Sequence, residues 1–321
     1  MLVVDVFLPR TLEEALEVKA RHLEALPIAG GTDVMVELNF DRDRPEAIVD
    51  ISRIPELQQW RRENGAAFLG SGVTYTRIMR ELNQFAPWVQ ASRTIGSPQI
   101  RNRGTVGGNL GTSSPAGDAL PVIAAYDAQV VLAKAGGVTR SVPWHEFMVG
   151  PKKNTLQPDE LILGTRWKAV RGPGSFSKIG TRNAMVISMA GLCLVLDEEG
   201  RTVRVALGSV APTIVRTPEA EAMAGRVLAD AGAWDDPAAT VTKQAVDEFG
   251  ELVASATRPI DDVRGTAAYR RHACRVLAKR ALRWALEDRR PLGYGGPGGV
   301  AGTTAGSREA AADPWLVEGP P

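Results

Sequence analysis

Two short stretches hold the residues best suited to chemistry: Gly30-Gly31-Thr32-Asp33 and Gly104-Thr105-Val106-Gly107-Gly108-Asn109. Glycine loses more conformational freedom on folding than any other residue. A cluster of it therefore marks backbone that takes positive φ or comes very close to another group. Successive N–H groups exposed this way form an anion-binding nest. The second stretch adds the Thr105 hydroxyl, and the first sits at a strand-to-helix turn, where a helix dipole favours negative charge. The second stretch lies within Thr94 to Asp118, twenty-five residues with six glycines and almost no large apolar side chain. Two nests suit an elongated ligand with a diphosphate in its middle. Neither stretch has the Gly-x-Gly-x-x-Gly of a Rossmann site or the Gly-Lys-Ser/Thr of a P-loop. A lone Gly-Gly-Thr is also an ordinary turn, so local chemistry leaves the ligand open.

Other chemistries are poorly supplied. Cys193 and Cys274 are the only cysteines, and an iron–sulfur cluster takes about four cysteine ligands. His22, His145 and His272 are scattered without zinc-ligand spacing. Arg101 and Arg103 are read as phosphate contacts, partner contacts or solvated loop charges. Lys+Arg 38 against Asp+Glu 37 leaves a net charge of +1, which argues against broad nucleic-acid or acidic-membrane binding. No apolar run is long enough to span a bilayer. The first residues lack the basic and apolar regions of a signal peptide, so a cytoplasmic setting is expected.

The elements that must position these stretches follow from pattern. Thr11-Leu12-Glu13-Glu14 reads as a capping box, opening a helix to about Leu26 with Leu12, Ala15, Leu16, Ala20 and Leu23 on one face. Pro27 to Ala29 reads as a buried strand, and a helical pattern opens at Asp33. Ala47–Ile51 and Phe68–Val73 read as strands, Thr74–Leu82 and Asp118–Tyr126 as helices, and Gln129–Ala133 as a strand. From Leu161 the texture changes. Ile162–Trp167, Gly174–Ile179, Ile187–Leu196 and Thr202–Gly208 read as strands. Thr217–Ala231, Val241–Ala256 and Gly265–Arg289 read as helices. Beyond Pro291 the Gly/Pro/Ala-rich composition reads as a disordered tail.

"PIAGGTDVMVE" and "TIGSPQIRNRGTVGGNLGTSSPAGDALPV" resemble the FAD-binding subunit of the molybdenum hydroxylases. That family includes the medium subunit of carbon monoxide dehydrogenase, the flavin domain of xanthine dehydrogenase and the flavin subunit of 4-hydroxybenzoyl-CoA reductase. "RGTAAYRRHACRVLAKRAL" is similar to the family's C-terminal helical signature. The resemblance runs from about Asp5 to about Leu286. It implies an α+β chain with a vanillyl-alcohol-oxidase (PCMH) type FAD-binding fold of two α/β subdomains, plus a C-terminal α+β domain. The expected boundaries are 1–168 for the FAD domain, with subdomains of about 1–55 and 56–168. The C-terminal domain is expected at 169–290 and the tail at 291–321.

The resemblance also implies site residues. Ala29, Gly30, Gly31, Thr32 and Asp33 stand where the family's first loop wraps the FAD diphosphate. Thr105, Gly107, Gly108 and Asn109 stand in the second loop. Thr112, Ser114 and Asp118 follow as polar contacts, with Asp118 on a sugar or ribityl hydroxyl. Ile95 and Gly96 approach the ring system or its chain, and Ile162 is an apolar contact. Lys178 matches a lysine near the isoalloxazine, where a cation would favour the anionic reduced flavin; the alternative is a solvated strand lysine. Some relatives carry an acid where this chain has Met185-Val186, a departure that weakens nicotinamide docking as a reading. The implied function is electron transfer through FAD within a heterotrimer, itself paired as a dimer of heterotrimers. A small subunit would carry [2Fe-2S] clusters and a large one the molybdopterin cofactor. Two alternatives stand beside it: a self-sufficient flavoenzyme resembling UDP-N-acetylenolpyruvoylglucosamine reductase, and a scaffold subunit that has lost FAD.

Overall fold

The protein is described here from a computed structural model over residues 4–40 and 45–289. The expectation of a disordered tail falls outside the described residues. Strand β1 (Asp5–Phe7) leads to helix α1 (Leu12–Arg21). Thr11 caps that helix by accepting from the Glu14 amide at 3.2 Å. The Glu14 carboxylate reaches back to the Arg10 amide at 2.7 Å, so the capping box closes one residue early. The helix stops at Arg21 rather than near Leu26. Buried Lys19 turns the chain there by donating to the carbonyls of Leu23 (2.9 Å) and Ala25 (2.7 Å). Leu26 belongs instead to β2 (Leu26–Ile28), and Leu23, expected on the buried face, is exposed. Helix α2 (Val34–Asn39) and β3 (Ala47–Asp50) complete a three-stranded parallel sheet in the order β1-β3-β2.

A second sheet follows: β4 (Trp60–Glu63), β5 (Ala66–Gly70), β6 (Gln129–Lys134), β7 (Val138–Pro143) and β10 (Leu161–Lys168), in the order β4-β5-β10-β6-β7. Its pairs are all antiparallel. Between β5 and β6 run α3 (Tyr75–Glu81), α4 (Ala86–Thr94), α5 (Pro98–Arg103), α6 (Val106–Thr112) and α7 (Ala119–Ala125). Between β7 and β10 lie α8 (Trp144–Phe147) and a small hairpin, β8 (Met148–Gly150) with β9 (Lys153–Asn154). The glycine-rich stretch is therefore largely helical, against local propensity. Ser97 and Pro98 start α5, Ser97 Oγ accepting from the Ile100 amide at 3.4 Å. Thr105 starts α6 by accepting from the Gly108 amide at 3.1 Å.

The third sheet is antiparallel: β11 (Gly174–Ile179), β12 (Ala190–Asp197), β13 (Thr202–Gly208) and β14 (Val215–Arg216). Helices α9 (Pro218–Asp230), α10 (Lys243–Ser255) and α11 (Ala267–Asp288) follow. Strand β12 begins at Ala190, so Ile187 to Met189 lie before it rather than in it. Its residues are all buried, because both faces of the sheet are covered. Cys193, Val195 and Ala206 join a core with Trp88 of α4 and Leu120 of α7. Leu192, Leu194, Val205 and Leu207 point the other way, into a core with Phe249 of α10 and Leu277 of α11. A strand buried on both faces reads as a continuous apolar run, which is why "AGLCLVL" lacks alternation.

Cys193 is wholly buried on the face shared with α4 and α7, and burial pushes its thiol pKa far up. Cys193→Ser should lower unfolding free energy by about 1–3 kcal/mol through an unpaired buried hydroxyl. Cys193→Ala should cost less than Cys193→Ser, as read by urea denaturation of both variants.

Candidate functional site

Backbone sets the site before any side chain does. The turn after β2 places Gly30 against the chain end of α5. A methyl on Gly30 would stand 1.9 Å from the Arg103 carbonyl oxygen, so only glycine allows this approach. Behind it, a methyl on Gly107 would meet Ser71 Cβ at 2.5 Å, which seats α6 against the end of β5. Across the junction, the Thr112 hydroxyl donates to Asp33 Oδ2 at 2.8 Å. The two glycine stretches, far apart in sequence, are one surface.

Their chemistry is unequal. Among the described residues, the amides of Gly30, Gly31, Thr32, Asp33 and Val34 donate to no protein acceptor. This stretch keeps the open nest that its sequence suggests. In the second stretch three amides are taken: Gly107 donates to Ser71 O at 2.9 Å, Gly108 to Thr105 Oγ1 at 3.1 Å and Asn109 to Thr105 O at 3.2 Å. Thr105, having accepted from Gly108, keeps its O–H proton to donate. Gly108 is exposed, and a methyl there would meet only Thr105 Oγ1 at 3.4 Å. The second stretch thus presents a smooth, side-chain-free floor opposite the open amides.

The remaining candidates gather beside it. The chain turns sharply at Gly96, whose φ is +48°. A side chain there would strike Ile100 at 2.7 Å. Arg101 holds this turn: its Nη1 donates to the carbonyls of Ile95 (3.0 Å), Gly96 (2.9 Å) and Arg93 (3.4 Å). Burial lowers its pKa. Arg101 is a clamp on backbone, a role not among those expected for it. Ile162 is buried on β10, its Cδ1 4.0 Å from the position a Gly111 Cβ would take. Ser114 Oγ accepts from the Ala116 amide at 3.3 Å and so closes its own turn.

Asp118 and Lys178 meet across the junction of the second and third sheets. Lys178 Nζ lies 2.6 Å from Asp118 Oδ2, with side chains only 7% and 6% exposed. Lys178 also donates to Thr94 O at 3.1 Å, and the Thr94 hydroxyl donates to Asp118 Oδ2 at 3.1 Å. Lys178 is therefore neither solvated nor a lone cation. Burial pushes the Asp118 carboxyl pKa up, while Lys178 and Thr94 oppose that rise. Tyr75, which sequence alone leaves as an ordinary helical residue, sits beneath the same surface. Among the described residues its buried hydroxyl has no partner, and burial, Asp118 and Asp33 all raise its pKa, keeping it neutral.

Residues 2–166 match the family model for the FAD binding domain in molybdopterin dehydrogenase, and 175–285 match the CO dehydrogenase flavoprotein C-terminal domain. The chain belongs to this flavoprotein family. It is 30% identical over 288 residues to the carbon monoxide dehydrogenase medium chain of Hydrogenophaga pseudoflava, covering 85% of this chain and 94% of that one. It is 34% identical over 209 residues to the nicotinate dehydrogenase FAD-subunit of Eubacterium barkeri, covering 61% and 70%. A solved carbon monoxide dehydrogenase from Hydrogenophaga pseudoflava superimposes with a TM-score of 0.77 at 27% identity, over 89% of this chain and 98% of that one. The flavoprotein fold is thus an FAD-binding domain followed by a C-terminal flavoprotein domain, and the chain is an oxidoreductase subunit with FAD as its cofactor. The surface fits FAD: open amides can meet a diphosphate, and the exposed Gly108 leaves the space a side chain would fill.

The buried Asp118–Lys178 pair makes a sharp prediction. Lys178→Met should destabilise the protein by about 3–5 kcal/mol, since it leaves a buried acid unpaired. Lys178→Met with Asp118→Asn should recover much of that loss, giving a clear coupling in a denaturant double-mutant cycle. Additive effects would mean that the pair is not coupled.

Proposed function

We propose that this chain is the FAD-carrying electron-transfer subunit of a heterotrimeric molybdenum hydroxylase. On this reading it passes electrons from a [2Fe-2S] subunit to an external acceptor, in the cytoplasm, within a dimer of heterotrimers. Relatives named as a medium chain and as FAD-subunits support the assignment to a multi-subunit enzyme. The observation that carries the reading is the open cradle of Gly30 to Val34 amides locked to the glycine floor of α6. Among the described residues there is no cluster of His, Cys, Asp and Glu able to hold a metal. No described helix is long and apolar enough to cross a membrane. We take 1–55, 56–168 and 169–290 as the structural units of this subunit.

FAD, when bound, supplies one- and two-electron chemistry. The chain's own residues supply position. The amides of Gly30 to Val34 would hold the diphosphate, with the Thr105 hydroxyl donating from the opposite stretch. Arg101 would fix the Ile95–Gly96 turn, and Ile162 would give an apolar wall. Lys178 and Asp118 together would present a neutral polar group to the ring, with Asp118 Oδ1 left to accept from a hydroxyl.

Purified protein should release FAD on heating. Gly108→Val should lose FAD and yet fold, because the space beside Gly108 is open on the protein side and its φ is not positive. Gly30→Ala should lose both FAD and stability, since its methyl meets backbone. Flavin absorbance and thermal melts of the two variants check this; full flavin occupancy in Gly108→Val would remove α6 from the site. The electron-relay role has its own test. Organic substrate should bleach the flavin of the reconstituted complex and leave that of the isolated subunit unchanged. Equal bleaching in the isolated subunit would favour a self-sufficient flavoenzyme.

A further inference from the structure

Arg270 takes no part in the diphosphate cradle, yet it is a charge on α11 left only 3% exposed. Its Nη1 donates to Met189 O at 2.9 Å and to Ser209 O at 2.8 Å, and its Nη2 donates to Asp262 Oδ1 at 2.6 Å. Its Nε has no partner among the described residues. A guanidinium withdrawn from water in this way is a weak source of stability, and a packed apolar side chain of similar volume often does as well or better. What an apolar side chain cannot do is fix two carbonyls in place. The rigid planar fork of arginine can.

Asp262 completes the clamp from the loop before α11. It also accepts from the amides of Arg264 at 2.8 Å and Gly265 at 3.3 Å. The Arg264 amide, and after it Arg270, holds this carboxyl down at about 2, so it stays ionised.

The two gripped carbonyls lie on the chain ends that bring Asp118 and Lys178 together. Met189 stands just before β12. Its amide donates to Ile179 O at 2.8 Å, next to Lys178 on β11. Ser209 stands just after β13. Its amide donates to Pro115 O at 2.7 Å, in the turn that leads to Asp118. Ser209 takes φ +65°, a left-handed conformation that persists only where the surroundings impose it. One residue earlier, a methyl on Gly208 would stand 2.9 Å from Pro121 Cγ and 3.3 Å from Pro115 O. Strands β12 and β13 are paired, with Gly191 opposite Gly208. The guanidinium closes this pair of strands where their ladder ends. Through one strand it reaches the segment carrying Lys178, and through the other the turn carrying Asp118.

We propose that Arg270 is a positioning residue for the Asp118–Lys178 pair, setting through the carbonyls of Met189 and Ser209 how the acid and the cation meet. It bonds to neither of them. The step from the pair to the cofactor rests on the FAD reading above; the step from Arg270 to the pair does not. The test is the Lys178→Met and Asp118→Asn cycle in urea, run once in wild type and once with Arg270→Met. The pair should be non-additive in wild type, and that non-additivity should largely vanish with Arg270→Met. Leu277→Ala removes core packing from the same helix without touching either carbonyl. It should lower stability and leave the non-additivity as in wild type. In titrations with FAD, the dissociation constant should rise about tenfold with Arg270→Met and stay within about twofold with Leu277→Ala. Asp262→Asn keeps the guanidinium but removes the charge that orients it, so it should give smaller losses of the same kind. It decides the matter if Arg270→Met does not fold. Non-additivity that is absent in wild type, intact in the clamp variants, or lost equally with Leu277→Ala would overturn the proposal. Unchanged FAD affinity beside lost non-additivity would overturn the reach to the cofactor. Wild type that takes up no FAD would overturn the parent reading instead, and the urea cycle, which needs no FAD, still decides the role of Arg270.

Discussion

The contact of Gly30 with the Arg103 carbonyl governs the arrangement of the site. Two pieces of backbone approach so closely that no side chain fits between them. This contact brings the turn after β2 onto the end of α5, and α5 in turn sets where α6 begins. The Thr112–Asp33 hydrogen bond then ties the far end of α6 to the start of α2. With backbone on both sides, the surface has little side-chain freedom to lose when a ligand binds, which favours a preorganised cradle.

A second constraint joins the FAD-binding part to the C-terminal part. The third sheet has no solvent face: one side packs on α4 and α7, the other on α9 to α11. The Asp118–Lys178 pair lies at the edge of that shared core, as do the Arg216 contact with the Ala124 carbonyl at 3.1 Å and the Phe176 amide contact with Gln90 at 2.7 Å. Buried apolar area makes this junction stable, and the ion pair within it demands one relative placement. The proposed ring-binding end inherits its shape from that junction, because Thr94 comes from one side and Lys178 from the other.

The loop from Ile179 to Met189 follows a different logic. Arg182 and Met185 are held by a local staple, not by a core. Exposed apolar residues such as Met185 and Ile187 cost little in the folded chain.

Much was legible in sequence. The positions of α1, α7, α9, α10 and α11 and of β3, β6, β10, β11 and β13 follow from periodicity and caps such as Thr11, because those signals act within a few residues. The long motif from Thr94 to Asp118 pointed to FAD and to the family by resemblance, while its residue types alone left the ligand open. What the sequence could not show is which amides stay open. Gly107 and Gly108 read as a nest, but α6 forms and takes their N–H groups, because packing on Ser71 overrides glycine's poor helix propensity. Nor could it show that Lys178 is neutralised, that Arg101 grips three carbonyls, or that Ile187 lies before β12 begins. Each of these depends on a partner distant in the chain or on where a neighbouring strand ends, and only the packed tertiary structure fixes such distances.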